Sequence, residues 1–372
     1  MKIGIFLHNF SDTEINKDPG LIARGLLEAG INIFVYSYQA SALAREKLPL
    51  QIISRTQARR TTFWQDSHLD TIIIYSWLSL RYTKLIAASK AGGLKVILKL
   101  DSDGHLIYPL RPSYLKVFGL DRSLKAKLIH VLRLLQYILL SRWLAKKKLK
   151  QLELCDATII ETPLAYENLV TSLRAWRRDD LIKKIIVIPN PVLEHSNLTF
   201  TKNNLITAIG RWDDRRKNAS SLIAVLSQIR TDWEVKIIGQ DGRALAQQIK
   251  KNNPTLKITG QEQIPHAQLL NILAPTKILF APSLTESFNL AAAEALTRGA
   301  TLCGGPLESF KYFARDNFSG CLATDFSSPA LTQALEQSLK NWSNNQYSAE
   351  AIAQYWKSEL GLSKICQQIL NI

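Results

Sequence analysis

The stretch Ile278-Leu-Phe-Ala-Pro-Ser-Leu-Thr-Glu-Ser-Phe-Asn-Leu-Ala-Ala-Ala-Glu294 combines an apolar strand, a turn and the start of a helix. The run Ile278–Ala281 predicts a buried strand, and Pro282–Thr285 predicts a turn. Glu286 and Glu294 are eight positions apart, and eight helical steps come to about 800°, roughly 80° past two full turns. We therefore expect one carboxylate on the loop and one two turns into the helix, at opposite ends of one ligand.

The chemistry of this strand–turn–helix unit indicates the ligand. Carboxylates accept hydrogen bonds in pairs, which suits the hydroxyl groups of sugars and ribose. A helix N-terminus offers free backbone N–H groups and the positive end of a dipole, and both favour phosphate. Sugar, ribose and phosphate together predict a nucleotide-sugar.

Short apolar runs alternate with helical patterns along the chain. This alternation predicts an α/β protein with two doubly wound parallel sheets. The predicted strands are Ile3–Leu7, Ile33–Tyr36, Thr71–Tyr75, Lys95–Leu100, Ala157–Ile160, Ile185–Ile188, Leu205–Ile209, Val235–Ile238, Leu256–Thr259 and Lys277–Phe280. Pro189–Thr201 is the best linker, so we expect domains at 1–190 and 195–345, with a C-terminal helix over 348–372.

The length of the chain is consistent with two domains, and its positive net charge predicts an acidic partner. With 372 residues, 46% of them hydrophobic, the chain can bury two cores. The net charge of +16 is concentrated before the linker, where 29 Lys/Arg and 16 Asp/Glu give +13 through Asn190. The acidic partner could be nucleic acid, an anionic membrane or a phosphorylated ligand, and it is expected to meet the first domain.

The four cysteines are scattered, with no Cys-x-x-Cys pattern and no histidine cluster, which suggests neither a zinc site nor a disulfide framework. The start of the chain, Met1–Leu7, is too short an apolar run for a signal peptide. We expect a cytoplasmic protein, soluble or peripheral on the inner face of the membrane.

A basic motif, Gly210-Arg-Trp-Asp-Asp-Arg-Arg-Lys217, follows the strand Leu205–Ile209. Gly210 permits a tight turn, and the fork of Arg211 with the point charge of Lys217 suits a diphosphate leaving group. Taken alone, the motif could equally be a solvated basic loop.

The basic motif Gly210–Lys217, followed by the strand, turn and helix that carry Glu286 and Glu294, resembles the sequence pattern of the retaining glycosyltransferases of family 4, which have the GT-B fold. The matching segments, in addition to the Gly-Arg–Lys and Glu-x7-Glu motifs, are Cys155–Ile160, Val187–Pro191, Glu294–Gly299 and Asp316–Gly320. The resemblance covers about Cys155 to Ala323 and weakens before that. It implies two Rossmann-like domains facing across a cleft, with the C-terminal helix crossing back to the first domain.

The resemblance also implies roles for individual residues. Arg211 and Lys217 would bind the donor diphosphate, Glu286 the sugar hydroxyls and Glu294 the ribose. Backbone N–H groups would line the sugar–phosphate pocket at Ser287, Phe288, Asn289 and Leu290. The family usually has Gly-Phe-Gly where this chain has Ser287-Phe288-Asn289, so side chains would occupy space that is normally open.

In the first domain, Asp18-Pro19-Gly20 precedes a predicted helix over Leu21–Ala29, and Gly20 could let backbone approach a phosphate or simply form a capping turn. Asp101 and Asp103 follow the strand Lys95–Leu100. We expect them to bind acceptor hydroxyls or cap the loop. The family commonly places a histidine at this strand end, a position that Asp101 could fill by alignment or His105 by residue type, and we expect His105 to contact the donor phosphate or the acceptor.

The segment Arg111–Lys150 has eleven Lys/Arg and one acid, interleaved with leucines. This composition predicts one or two basic amphipathic helices on an anionic membrane surface, as in membrane-associated members of the family. A solvated helix face is the alternative. Nucleic-acid binding is disfavoured, because no aromatic RNA-binding motif or DNA-reading helix accompanies the charge.

The leading hypothesis is a retaining hexosyltransferase that uses a nucleotide-sugar donor and a glycan or lipid-linked acceptor, with no cofactor and no metal, in cell-envelope glycan, polysaccharide or glycolipid synthesis. One rival is a metal-dependent transferase or phosphatase centred on Asp101 and Asp103. The other is a catalytically degenerate GT-B protein that binds a membrane or a nucleotide-sugar.

Overall fold

The computed structural model describes residues 1–107, 124–193 and 201–372. These residues form two compact units: 1–107, 128–193 and 361–372 make up the first, and 124–127 and 201–360 make up the second. Residues 111–123 of the predicted membrane segment and 194–200 of the predicted linker lie outside the described residues.

The first unit is built on a seven-stranded parallel sheet in the order β3-β2-β1-β4-β5-β6-β7. Its strands are β1 Lys2–Phe10, β2 Asn32–Ala40, β3 Leu50–Ile52, β4 Thr71–Tyr75, β5 Lys95–Leu100, β6 Ala157–Ile160 and β7 Ile185–Val187. Apart from a C-terminal helix described below, its helices are α1 Asp18–Glu28, α2 Ala42–Lys47, α3 Thr61–Asp66, α4 Thr83–Ala91, α5 Leu124–Leu154 and α6 Pro163–Ala175. The strand order reverses between β1 and β4, as in a doubly wound sheet.

Apolar side chains cover both faces of this sheet, which explains why its strands are near-continuous apolar runs rather than alternating ones. In β4, for example, Ile72 and Ile74 face one core while Ile73 and Tyr75 face the other, and all four are buried. Alternate residues of a strand point to opposite faces, so a helix layer on each side is required.

The second unit repeats the architecture with a six-stranded parallel sheet in the order β10-β9-β8-β11-β12-β13. Its strands are β8 Leu205–Ile209, β9 Glu234–Ile238, β10 Lys257–Gln261, β11 Ile278–Ala281, β12 Thr301–Gly304 and β13 Gly320–Leu322. Its helices are α7 Ala219–Gln228, α8 Gly242–Asn252, α9 His266–Leu273, α10 Leu290–Leu296, α11 Glu308–Ala314, α12 Ser328–Ser343 and α13 Ala349–Leu360. Here the order reverses between β8 and β11.

The C-terminal segment contains two helices rather than one. α13 belongs to the second unit, where Trp356 is buried and its indole N–H donates to Ser319 Oγ at 3.0 Å. α14, Leu362–Leu370, belongs to the first unit and packs on α1. A Cβ on Gly25 would lie 2.7 Å from Cys366 Sγ, so glycine is what allows the two helices to approach this closely.

The prediction of an α/β chain with two parallel sheets is confirmed. One boundary in the first unit differs: α1 begins at Asp18, so Gly20 lies inside the first turn and not ahead of the helix. Pro19 suits that position, because its missing N–H would have no partner in the first turn anyway. None of the helices in the described ranges is long and apolar enough to cross a membrane.

Candidate active site

The loops that follow β8 and β11 form the candidate site of the second unit. The two strands are neighbours in the sheet, so their carboxyl ends bring these loops together at the point where the strand order reverses. Hydrogen bonds to backbone carbonyls join the loops: Leu284 N–H donates to Arg216 O at 2.7 Å, and the Asn218 amide donates to Pro282 O at 3.0 Å. Asn218 has a left-handed backbone (φ 58°), which ends the short 3-10 helix Arg215–Lys217 and starts α7.

Lys217 and Glu286, predicted as separate ligand contacts, form an ion pair across these loops. The distance from Lys217 Nζ to Glu286 Oε1 is 2.5 Å, and both side chains are largely buried. The Ser283 hydroxyl also donates to Glu286 Oε1, at 2.7 Å, and Ser309 Oγ donates to the Glu286 carbonyl at 3.2 Å. Both side-chain contacts use Oε1, so Oε2 is the oxygen that can address a ligand. A lysine ammonium has three donors, and this pair takes one of them.

Arg211 lies on the exposed part of the same loop. Its guanidinium is 3.3 Å from Asp214 Oδ2 and 68% of its side chain is exposed. Hydrogen bonds from Arg216 hold the pKa of Asp214 below its usual value, with a further contribution from Arg211. Sequence reasoning did not single out Asp214, which organises both arginines. Gly210 precedes them, and a Cβ there would lie 3.4 Å from the Lys217 side chain.

Glu294 lies on α10, which begins at Leu290, so this carboxylate is just over one turn into the helix and not two turns as the spacing predicted. Its Oε1 atom is 2.5 Å from His266 Nε2, at the start of α9, and its carbonyl accepts a hydrogen bond from Arg298 at 2.9 Å. Sequence reasoning missed His266, because a histidine at a helix start carries no signal of a partner 28 positions away.

The segment between the two glutamates shows how Ser287-Phe288-Asn289 replaces Gly-Phe-Gly. Asn289 adopts a left-handed backbone (φ 74°), a conformation open to asparagine as well as glycine, and its side chain accepts from Ala292 N–H at 3.0 Å. Phe288 is buried and packs edge-to-face on Phe313, with ring centroids 5.0 Å apart. Any contact of Phe288 with a ligand would therefore use its backbone, as the resemblance implies.

The predicted site residues of the first unit lie at the carboxyl end of β5. Asp103 Oδ1 accepts from His105 N–H at 3.4 Å, and the Asn168 amide donates to the Asp103 carbonyl at 2.9 Å. Gly104 has φ 84°, and a Cβ there would collide with Ala165 O at 1.9 Å, so this loop is held tightly against α6. His105 Nε2 is buried and has no hydrogen-bond partner among the described residues.

Asp101 lies near a buried charge cluster that the sequence analysis did not predict. Lys99 is fully buried, with its ammonium 3.5 Å from Asp18 and 3.5 Å from Glu161. Asn190 Oδ1 accepts from the Lys99 ammonium at 2.5 Å. Burial raises the pKa of both carboxyls, and the Asp101 charge raises both further against the opposing pull of Lys99.

Gly20, in the first turn of α1, has a reason within the protein for lacking a side chain. A Cβ there would lie 2.4 Å from Ile15 O and 2.5 Å from Glu14 O. The close backbone approach at this position is thus to the chain's own preceding turn, and a contact with phosphate stays a prediction.

The two doubly wound parallel-sheet units define the fold class as GT-B, the two-domain architecture of many glycosyltransferases. Residues 203–341, the greater part of the second unit, match the family model described as Glycosyl transferases group 1. Lys217, Glu286 and Glu294 all fall within this match.

Solved glycosyltransferase structures are similar over the whole chain. Anabaena Alr3699/HepE in complex with UDP-glucose has a TM-score of 0.67 at 13% identity, covering 100% of this chain and 98% of that one. The lipopolysaccharide outer core galactosyltransferase WaaB gives the same four values. Sucrose-phosphate synthase from Thermosynechococcus elongatus has a TM-score of 0.64 at 14% identity, with coverage of 100% and 98%. A search of curated proteins found no significant match.

Proposed function

We propose that this chain is a retaining glycosyltransferase that moves a sugar from a nucleotide-sugar to a hydroxyl group of a glycan or lipid-linked acceptor. The observation that carries the proposal is the Lys217–Glu286 ion pair, which lies between two hydrogen-bonded loops. These loops lie where the strand order of the sheet reverses, in the part of the chain that matches the group 1 model. Similar structures support the choice of donor, since HepE was solved with UDP-glucose.

The proposed reaction depends on stabilising a leaving group. When the bond between the sugar and the diphosphate breaks, negative charge grows on the departing phosphate and positive charge on the sugar. Lys217 and Arg211 would bind that phosphate, an electrostatic strategy in which fixed charges are most effective in a site with little water. The pairing with Glu286 fixes the Lys217 ammonium in place before the donor arrives, which reduces the reorganisation needed during the reaction.

The remaining second-unit residues would recognise the donor. Glu286 Oε2 would accept hydrogen bonds from sugar hydroxyls, and Glu294 would accept them from the ribose. Backbone N–H groups at 287–290 would bind the sugar and phosphate. The acceptor hydroxyl would attack from the face that the diphosphate leaves, and its proton would pass to the departing phosphate. In this scheme no carboxylate acts as a nucleophile and no metal is required.

The first unit would supply the acceptor side. His105 lies beside Asp103 on the loop after β5, and its imidazole would hydrogen-bond a phosphate or hydroxyl group. Asp101 and Asp103 would bind acceptor hydroxyls, and Gly20 lies in the same unit at the start of α1. These roles extend the predictions made from the sequence.

We further propose that α5 rests on an anionic membrane. Val131, Leu135, Leu139 and Trp143 follow one another at intervals of four residues, so they form a stripe about 120° wide along the helix. They are 43%, 50%, 79% and 50% exposed. Ala145, Leu149 and Leu152 are instead buried against the first unit and dock the helix to it.

Basic residues accompany the exposed stripe. Arg142, Lys146 and Lys147 are exposed, and the Lys147 ammonium lies 5.6 Å from the centre of the Trp143 ring. Apolar side chains flanked by lysine and arginine match the interface of an anionic lipid bilayer better than they match water. With four free, buried cysteines, the protein suits a reducing compartment, so we place it at the cytoplasmic face of a membrane.

The test of the proposed activity is a donor panel. UDP-, GDP-, ADP- and CMP-sugars should be compared for the rise in melting temperature, since a ligand that binds the native state stabilises it according to its affinity. The binding donor should then be incubated with acceptor, with and without EDTA, and the anomeric configuration of the product read by NMR. Retained configuration and EDTA-insensitive transfer are expected. Inversion or loss of activity in EDTA would contradict the mechanism, and binding without transfer would favour a degenerate binding subunit.

A further inference from the structure

A cavity of about 270 Å³ lies in the first unit, apart from the residues discussed so far. It is lined by His8, Tyr38, Arg55, Arg59 and Arg81. His8 and Tyr38 are near the carboxyl ends of β1 and β2, and the three arginines follow β3 and β4. Since the strands are parallel, all five residues come to one edge of the sheet, where the strand order reverses between β1 and β4. Ligands of such sheets bind at this place.

The cavity carries uncompensated positive charge. Three guanidinium groups line it, and none of them lies within ion-pair distance of a carboxylate in the described ranges of the chain. The pKa of His8 is lowered, mainly by burial and then by the charges of Arg81 and Arg55. His8 is therefore neutral at neutral pH, and its buried Nδ1 atom has no hydrogen-bond partner among the described residues.

The two remaining lining residues, His8 and Tyr38, have aromatic rings. The His8 and Tyr38 rings meet edge-to-face, with centroids 5.1 Å apart. Arg55 lies 5.8 Å from the centre of the Tyr38 ring, and Arg81 lies 5.7 Å from that of Tyr82. A cavity that combines aromatic surface with a few converging polar groups has the composition of a small-molecule site.

We propose that this cavity binds a sugar bearing a phosphate or carboxylate group, as the charged part of the acceptor. The arginine forks match the oxygen pairs of either anion, and the tyrosine face can pack against the sugar ring. The volume lies near the lower end of the range for ligand pockets, about 300–1,000 Å³, so it accommodates one sugar ring rather than an oligosaccharide. Assigning this ligand as the acceptor rests on the proposed glycosyl transfer.

Calorimetric titration of the full chain tests the assignment. The probes are glucose 6-phosphate, glucuronate, inorganic phosphate and unmodified glucose. We expect one of the two charged sugars to bind, which decides between phosphate and carboxylate, and to bind more weakly as salt is added. Arg55→Gln and Arg81→Gln should each weaken this binding by roughly tenfold, because each removes a charge-assisted hydrogen bond. Arg45→Gln, an exposed arginine on α2, should leave it unchanged.

Several results would overturn the assignment. Glucose binding as tightly as the charged sugars would remove the need for an anion, and inorganic phosphate binding as tightly as glucose 6-phosphate would remove the need for a sugar. Unchanged affinity in both arginine variants would place the ligand elsewhere. The two proposals can fail separately. Arginine-dependent binding without sugar transfer from any donor would refute the transferase activity alone. Sugar transfer at the wild-type rate in both arginine variants would refute the cavity assignment alone.

Discussion

The buried charge cluster of the first unit makes stability depend on pH in a direction that the structure specifies. Asp18 and Glu161 share the single ammonium of Lys99, and only 13% of the Asp18 side chain is exposed. Burial raises the pKa of Asp18 from 3.8 to about 6, although Lys99 pulls it in the opposite direction. In the unfolded chain the pKa returns to its ordinary value.

The shift sets the size of the effect. A rise of about two pKa units, at about 1.36 kcal/mol per unit, corresponds to about 3 kcal/mol. Because the folded-state pKa is the higher one, the stability due to protonated Asp18 is fully present below about pH 4 and is lost as pH rises through about 6. Asp18→Asn mimics the protonated carboxyl, so we expect it to equal the wild type near pH 4 and to be more stable by up to about 3 kcal/mol near pH 8.

Urea unfolding at several pH values, followed by pulsed hydrogen exchange and mass spectrometry, measures the free energy of unfolding of the first unit, because peptides of β4 and β5 report on that unit alone. Glu161 has a pKa raised well above its usual value in part by the Asp18 charge, so the difference between the two proteins reports Asp18 together with its repulsion of Glu161. Glu28→Gln, at the exposed end of α1, is the matched control and should leave the pH profile unchanged. Parallel profiles for wild type and Asp18→Asn, or a variant less stable at pH 8, would refute the reasoning by showing that the ion pair with Lys99 outweighs burial.

Three further predictions follow from the site and from α5. Leu139→Glu should reduce sedimentation with phosphatidylcholine–phosphatidylglycerol vesicles by about tenfold or more, because burying one leucine contributes about 1.5–3 kcal/mol. Asn289→Ala should lower the free energy of unfolding of the second unit by about 2 kcal/mol in urea, since it loses the cap on Ala292 and strains a left-handed backbone. His266→Ala should raise the KM for the donor several-fold with little change in kcat, because it releases Glu294 without touching the phosphate.

Matched variants make these tests specific. Leu43→Glu changes another exposed leucine of the first unit and should leave vesicle binding intact. Asn289→Gly keeps the left-handed backbone and should cost only a few tenths of a kcal/mol. Equal loss of vesicle binding in both leucine variants, equal stability of the two Asn289 variants, or a fall in kcat alone for His266→Ala would each contradict the corresponding account.

Much of the fold could be predicted because buried parallel strands are continuous apolar runs. β4, β5, β6 and β8 have the predicted bounds, Thr71–Tyr75, Lys95–Leu100, Ala157–Ile160 and Leu205–Ile209. Three short strands, β3, β12 and β13, were absent from the predicted series. β3 is a three-residue edge strand, mostly exposed, and the other two include glycine, which interrupts the apolar pattern.

The contacts within the site could not be predicted in the same way. Lys217 and Glu286 are 69 positions apart, and their pairing depends on β8 and β11 being neighbours in the sheet. Lys99 lies inside an apolar strand, where the sequence pattern does not distinguish a buried ammonium from an exposed one. The arginine-lined cavity was also missed, because its residues come from four strand ends and share no local motif.

The most direct test of the central claim is the turnover of Lys217→Ala with its nucleotide-sugar donor. Lys251→Ala, an exposed lysine on α8, serves as the control, and thermal unfolding should verify that both variants are folded. Removing one group that stabilises transition-state charge typically costs about 10²–10³ in rate. We predict a loss of that size in Lys217→Ala and unchanged turnover in Lys251→Ala. A folded Lys217→Ala protein with wild-type turnover would contradict the assignment of this site.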